Sequence, residues 1–395
     1  MKVIAVLEDD IAAGGAFNQA LNAILQMQRV CKGRFDFEVL ASSASGRSHL
    51  GDLGIDAAPF SPSLFDKLFL RLGAYPWWRH LQRRLRLVSA FERQLLKRGC
   101  DLVYFVRQSE LSGLLQRLNF IATLFDLCHR DTPEFPEVRE FGEFWTRERY
   151  FSTHLTGATL ILADSAALAA AAAHRYGVDG ERLLVMPFAP AAFLDARAAN
   201  DKPTVLRKYA LAEGYLFYPA QFWAHKNHVR ILEALVILRE RGQHPQVVFS
   251  GGDKGNLRHV TSFVGKRALG EQVRFLGFVP AEDVRGLYEG CSAVVMPTYF
   301  GPTNLPPLEA WMVGRPLIYS SRCAEQAGDA ALCVDPDDAE ELARAMQQSM
   351  DPGTSANLVR LGALRLKQIE QQRADAEAEL LRRLRLFEAR RRCWE

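Results

Sequence analysis

The chain has no run of the roughly 20 uninterrupted apolar residues that a membrane-crossing helix needs. Its opening, MKVIAVLEDD, reaches charge before an apolar leader core can form, so the expectation is a cytoplasmic chain. Seven cysteines are present, but no two of them form a CxxC pair. Cys31, Cys100, Cys128, Cys291, Cys323, Cys333 and Cys393 lie mostly in apolar surroundings, which predicts reduced thiols, no disulfide framework and no zinc site. Charge of one sign is scarce as well. Lys and Arg number 49 against 46 Asp and Glu, and the net +3 gives no argument for a nucleic-acid partner. A GxGxxG dinucleotide loop is missing behind the first apolar segment.

What is present is enough apolar material for two domains of ordinary size: 395 residues, 48% of them hydrophobic. KVIAVL (2–7), FDFEVLA (35–41), DLVYFV (101–106), FIATLF (120–125) and ATLILAD (158–164) read as short strands, apolar throughout and separated by helical or turn-rich stretches. The pattern restarts with YLFYP (215–219), QVVFSG (246–251), VRFLGF (273–278), AVVMP (293–297) and PLIYS (316–320). Apolar strands alternating with helices imply parallel sheets covered on both faces. The expected fold is therefore α/β, two Rossmann-like domains in tandem with a cleft between them. Residues 1–190 form the first domain and residues 191–365 the second, with a linker near 188–204. The charged tail, 366–395, reads as a terminal helix that packs outside or crosses back to the first domain. Open α/β sheets bind ligands beyond the carboxyl ends of their strands, which places the expected site in the cleft.

Four stretches carry chemical signals. WWRHLQRRLRLVSAFERQLLKRG (77–99) reads as a helix with an apolar stripe, a Trp pair and seven cations. It is either a surface helix with a solvated basic face or a segment, 77–98, that docks on anionic lipid head groups. Gly14 and Gly15 follow the first strand, where they make either a tight turn or a loop that lets a backbone approach a ligand. In YPAQFWAHKNH (218–228), Lys226 and Asn227 stand at a helix start directly after a strand, where a cation and the helix dipole both favour an anion. His225 and His228 share that stretch, with no third metal ligand adjacent. Finally, FGPTNLPPLEA (300–310) turns the chain from a strand into a helix and exposes Thr303 and Asn304, with Glu309 one turn in. Such a turn suits a diphosphate, and the carboxylate suits vicinal hydroxyls.

FGPTNLPPLEA followed by WMVGRPLIYS, together with YPAQFWAHKNH, SGGDKGN, VRFLGFVP and GDAALCVDP, resembles the retaining glycosyltransferases of family 4, which have the two-domain GT-B fold. The resemblance covers nearly all of the second domain and reaches the first through FIATLFDLCHRDTPEFPEVRE (120–140), similar to the family's acceptor-side loop. It implies a nucleotide-sugar donor, with Lys226 on the donor phosphate, Glu309 on the ribose and the backbone of Asn304, Leu305 and Pro306 holding the diphosphate. Gly14 and Gly15 would face the donor from the other domain, and Phe278 and Val279 would contact the nucleobase. Three positions depart from the family pattern. Gly301 stands where the first of two glutamates is usual, Gln221 where an arginine is usual, and Phe125 where a histidine precedes the aspartate Asp126. The FGPTN form looks like a variant branch in which Thr303 and Asn304 substitute for the lost carboxylate. Asp126 and His129 are the expected catalytic-site contacts to sugar or acceptor.

Breaking a sugar–phosphate bond builds negative charge on the leaving diphosphate, so groups that stabilise that charge should contribute most to catalysis. The resemblance implies a same-face attack with no enzyme nucleophile, no metal and no cofactor. The expected reaction moves a sugar, mannose or rhamnose by branch, from a GDP-, UDP- or dTDP-linked donor to a glycan or polyprenyl-diphosphate-linked acceptor at the inner face of the cytoplasmic membrane. Two rival readings are a non-catalytic nucleotide-sugar binder or assembly subunit and a phosphorylase or epimerase on the same architecture.

Overall fold

The computed structural model describes residues 1–8, 15–73, 75–190, 199–301 and 303–394. Gly14 and residues 191–198 of the expected linker therefore lie outside the described residues. The apolar runs become strands because they can be buried on both faces, and two all-parallel sheets result. The first holds β1 (Lys2–Leu7), β2 (Asp36–Ala41), β3 (Ala57–Pro59), β4 (Leu102–Phe105), β5 (Asn119–Leu124), β6 (Leu160–Ala163) and β7 (Leu183–Val185), in the order β3-β2-β1-β4-β5-β6-β7. The second holds β8 (Tyr215–Pro219), β9 (Val247–Ser250), β10 (Val273–Phe275), β11 (Cys291–Met296), β12 (Leu317–Ser320) and β13 (Leu332–Val334), in the order β10-β9-β8-β11-β12-β13. Each order reverses once, between β1 and β4 and between β8 and β11, which is the doubly wound arrangement.

The chain divides into two compact units. One comprises Met1–Leu127, Phe144–Pro187 and Gln372–Glu395, and the other Cys128–Glu143 and Phe188–Gln371. In the first unit, Ile4, Val6, Val103 and Phe105 face one buried layer, while Val3, Ala5, Leu7, Leu102 and Tyr104 face the other, as the two-residue strand period requires. The C-terminal helix is one continuous element, Pro352–Arg391. Its Ala376, Leu380 and Leu384 fill the layer over Val3, Ala5 and Leu7 together with Phe17, Ile24 and Met27 of the helix Gly15–Cys31. Ile369, earlier on the same helix, belongs to the core of the second unit. All seven cysteines are free thiols.

The single helix expected over 77–99 is instead two. The first, Pro76–Leu85, ends where Arg86 adopts a left-handed conformation, φ 49°. The second, Ala90–Lys97, starts at Ser89, whose hydroxyl accepts from the Glu92 N–H. A serine cap three residues before a glutamate outcompetes continuation of the helix, because it satisfies an amide that helix geometry leaves unpaired. The second helix also turns Phe91 and Leu95 inward.

Glu92 is fully buried, and its Oε1 accepts from the backbone N–H groups of Gln116 (2.9 Å), Arg117 (2.7 Å) and Leu118 (2.9 Å). One carboxylate oxygen thus shapes the turn that feeds β5. Glu92→Ala is expected to destabilise the protein by about 2–4 kcal/mol, since three charge-assisted bonds are lost together. Urea unfolding checks this, and a loss below about 1 kcal/mol would show that solvent replaces the carboxylate at no real cost.

Candidate active site

In the second unit, β8 and β11 lie side by side and their connections leave in opposite directions, so the loops beyond their carboxyl ends open a crevice. The β8 loop carries Gln221–Asn227 and the β11 loop Pro297–Asn304. Lys226 closes a tight turn, Ala224–Lys226, and its carbonyl accepts from the Tyr218 hydroxyl at 2.9 Å. Asn227 then takes a left-handed conformation, and its Nδ2 donates to the carbonyls of Pro297 (3.1 Å) and Pro336 (2.8 Å). That side chain ties the edge loops together and aims Lys226 across the crevice, where its Nζ donates to Asn304 Oδ1 at 3.2 Å.

Asn304 is fixed from every side. Its N–H donates to Gln326 Oε1 (2.8 Å), and its carbonyl accepts from Gln326 Nε2 (2.7 Å). Its Nδ2 donates to the Tyr319 hydroxyl (2.7 Å) and the Gly301 carbonyl (3.2 Å), and Tyr319 in turn donates to Gln326 Oε1 (2.8 Å). Both amide hydrogens are therefore engaged inward, which leaves Oδ1 turned to the lysine. The expected diphosphate cradle at Asn304, Leu305 and Pro306 narrows accordingly: the Asn304 N–H is taken by Gln326, and Pro306 has none. Leu305 opens the helix Leu305–Met312, and its N–H is the donor of that trio left to meet an oxyanion. Thr303 sits half-buried beside it.

Glu309 is buried on the same helix and accepts a 2.5 Å hydrogen bond from the Tyr288 hydroxyl. Burial pushes its carboxyl up to about 7, against the pull of that hydrogen bond. Beyond β10, Phe278 is 72% exposed while Val279 packs against the core. The edge between these loops is held by Gly251, whose N–H donates to the Gly277 carbonyl at 2.8 Å. A Cβ at Gly251 would lie 2.4 Å from the Ala220 carbonyl oxygen, so only glycine fits there.

Lys226, Phe278, Val279, Thr303, Asn304, Leu305, Pro306 and Glu309 all belong to the second unit. Asp126 is in the first, ion-paired with Arg147. His129, on the short helix Cys128–Asp131, is fully buried and groups with the second unit. The two expected catalytic residues thus fall in different units. Gly15 opens the helix Gly15–Cys31 of the first unit. His228 is buried, with Phe222 stacked on it at 4.4 Å, and burial lowers its pKa to about 3, so it is a neutral core residue.

Several contributing residues escaped the sequence reading. Gln326, Tyr319 and Tyr288 act through tertiary contacts with no local pattern. Glu137 accepts from the His225 N–H (2.8 Å) and from its ring Nδ1, and Phe300 stacks on that ring at 4.2 Å. Burial alone would raise the Glu137 carboxyl, but the bonds from His225 hold it below the usual value. Glu8, at the carboxyl end of β1, has its carboxyl raised by burial, opposed by a hydrogen bond with Ser109 and by Arg107.

Two parallel, doubly wound sheets, of seven and six strands, have the arrangement of the GT-B glycosyltransferase fold. Residues 213–351 match the family model of glycosyl transferases group 1. The chain is 29% identical over 257 residues to the O-antigen chain mannosyltransferase B of Escherichia coli, a match that covers 63% of this chain and 65% of that protein. It is similar in fold to a glycosyltransferase from Rickettsia africae (TM-score 0.71, 12% identity, 98% of each chain covered). It is similar in the same way to Anabaena HepE in complex with UDP-glucose (TM-score 0.71, 15% identity, 96% of this chain and 99% of that one).

The missing family glutamate has a structural reason. Gly301 adopts φ +90°, and a Cβ there would meet both terminal atoms of the Asn304 amide at 3.2 Å. Gly301→Glu is therefore expected to lower activity and to cost about 1–3 kcal/mol of stability, by strain and by displacing Asn304. Thermal unfolding and donor binding measure both. A variant that is more active than the wild type would mean that the glycine is a simple loss.

Proposed function

We propose that the chain is a retaining, metal-independent family 4 hexosyltransferase that moves a sugar from a nucleotide-sugar donor to a hydroxyl of a growing, lipid-linked surface glycan. The observation that carries this reading is the Lys226–Asn304 pair at the switch point, with the Leu305 N–H and Glu309 on the following helix. Lys226 and the helix start stabilise the charge that develops on the leaving diphosphate. Glu309 accepts from the ribose hydroxyls, and Phe278 and Val279 border the base. In a same-face attack the leaving phosphate helps to take the proton of the acceptor hydroxyl. Asp126 and His129 then position sugar or acceptor rather than attack. The mannosyltransferase relative supports mannose as the first sugar to try, with rhamnose next, and a glycan or polyprenyl-diphosphate-linked acceptor. The reading places the protein in the cytoplasm, at the inner face of its membrane.

Calorimetric titration of GDP-, UDP- and dTDP-sugars into the protein tests the donor site, followed by transfer assays with the donor that binds. One nucleotide class is expected to bind, without added metal, and to be turned over with retention at the anomeric centre. Gly301 and Gln221, where the family carries a carboxylate and an arginine, favour the second reading of a non-catalytic binder. Tight donor binding with neither transfer nor donor hydrolysis would establish that second reading.

A further inference from the structure

Two neighbouring helices of the first unit turn the wrong residues outward for a water-facing surface. On Leu64–Leu72, Asp66 and Phe69 are buried, while Leu64 is 84% exposed and Phe65 and Leu68 are about half exposed, at 46% and 48%. On Pro76–Leu85, Trp78 and Gln82 are buried, while Trp77, Leu81 and Leu85, four residues apart, are 55%, 37% and 56% exposed. Residues four apart lie on one helix face, so each helix carries an outward apolar stripe as well as its inward one. Rings join the two helices: Phe65 meets Phe69 at 4.6 Å, Phe69 meets Trp78 at 5.1 Å, and Trp78 meets Trp77 at 5.9 Å. Isolated exposed leucines are ordinary, whereas a continuous stripe on adjoining helices marks an interaction surface.

Charge says what covers it. Lys67, Arg71, Arg83, Arg84 and Arg86 are exposed along these stripes. Between Leu64 and Arg86 the sequence contains one acid, Asp66, which is buried and occupied by Ser63 and the Phe91 N–H. A second copy of the chain would bring like charges face to face, and an acidic protein would leave the tryptophan and leucine stripes without an apolar counterpart. An anionic bilayer meets both demands, since acyl chains take the leucines, the interfacial zone takes Tyr75 and Trp77, and phosphates take the cations.

We propose that the face formed by Leu64–Leu72 and Pro76–Leu85 docks the protein in the plane of an anionic lipid bilayer. No helix among the described residues is long and apolar enough to cross a membrane, so the contact is interfacial. The surface differs from the one expected over 77–98, because Ala90–Lys97 spends Phe91 and Leu95 on the core and the preceding helix replaces it. This deepens the proposed reading, which sets the protein at a membrane, by naming the face that meets it, and its test needs no sugar donor.

The test is co-sedimentation of the full chain with vesicles of phosphatidylcholine alone or with added phosphatidylglycerol. Wild type is expected to pellet with the anionic vesicles and to be released by salt. Arg83→Ala with Arg84→Ala should weaken partitioning by about fivefold per arginine removed. Leu64→Ser with Leu68→Ser, and Trp77→Ser with Leu81→Ser, should abolish it. All of these side chains are exposed, Leu81 least of the apolar ones at 37%, so unfolding midpoints should hold. Lys266→Ala with Arg267→Ala, on the second unit, should change nothing. Wild type that stays in the supernatant overturns the proposal, as does equal loss with the Lys266 and Arg267 control, which would reduce the effect to net charge. Velocity sedimentation showing a dimer that the leucine variants dissociate would hand the face to a second copy of the chain.

Discussion

Lys226→Ala is expected to lower kcat/KM for the sugar donor by about a hundred- to a thousandfold, the range seen when a group facing developing negative charge is removed. The side chain is not needed for the fold. Its Nζ makes a 3.2 Å bond to an Asn304 that Gln326 and Tyr319 hold independently, so the unfolding midpoint should stay within a degree or two of wild type. Lys226→Arg should recover only a small part of the loss, because a planar guanidinium cannot replace a compact ammonium beside a fixed Asn304 oxygen. Initial rates with donor varied separate the two components. A fall confined to KM would assign the lysine to ground-state binding alone. A fall of less than threefold would remove it from the site.

Glu309→Gln should separate stability from activity. The Glu309 carboxyl has a folded-state pKa of about 7 against the usual 4.5, so the folded protein holds a proton that the unfolded chain releases. Its contribution is therefore fully favourable below 4.5 and is lost as pH rises through 7, a loss of roughly 3 kcal/mol. The amide keeps an acceptor for the Tyr288 hydroxyl and cannot ionise. Glu309→Gln is accordingly expected to flatten the decline in unfolding midpoint between about pH 5 and 8, and to be more stable than wild type at the upper end. Donor affinity should move the other way. In the proposed donor site ionised Glu309 would accept charge-assisted bonds from ribose hydroxyls, so wild-type affinity should rise through pH 7, and the variant should bind about tenfold more weakly at pH 8. Parallel midpoints for the two proteins across that range would show that Glu309 is already ionised in the fold.

Much of this was legible in the sequence because burial on both faces leaves an unmistakable trace. YLFYP and QVVFSG each contain a strand of the second sheet and AVVMP holds most of a third, and the loops behind the first and third carry Lys226 and Asn304. The strands β3, β7 and β13 went unread because three residues at or near a sheet edge make too short an apolar run. The break at Arg86 was signalled by Ser89 and Glu92, but the periodicity of leucine ran on through it. His228 could pass as a metal ligand only while its burial was unknown. The roles of Gln326, Tyr288 and Glu137 depend on partners 22, 21 and 88 residues away, a distance over which pattern carries no information. Gly301 was read as an absence; its φ makes it a requirement.

The helix Pro352–Arg391 also bears on how the protein comes to be made. It supplies Ala376, Leu380 and Leu384 to a layer otherwise built from residues between Val3 and Met186. During synthesis, β1 and the helix Gly15–Cys31 emerge more than 300 residues before these three partners. The second unit, whose sheet and Ile369 precede them, can close earlier. The unit whose synthesis begins first is thus the last to be sealed, and a ribosome stalled before Ala376 would present a half-covered sheet to the chaperones of the cell.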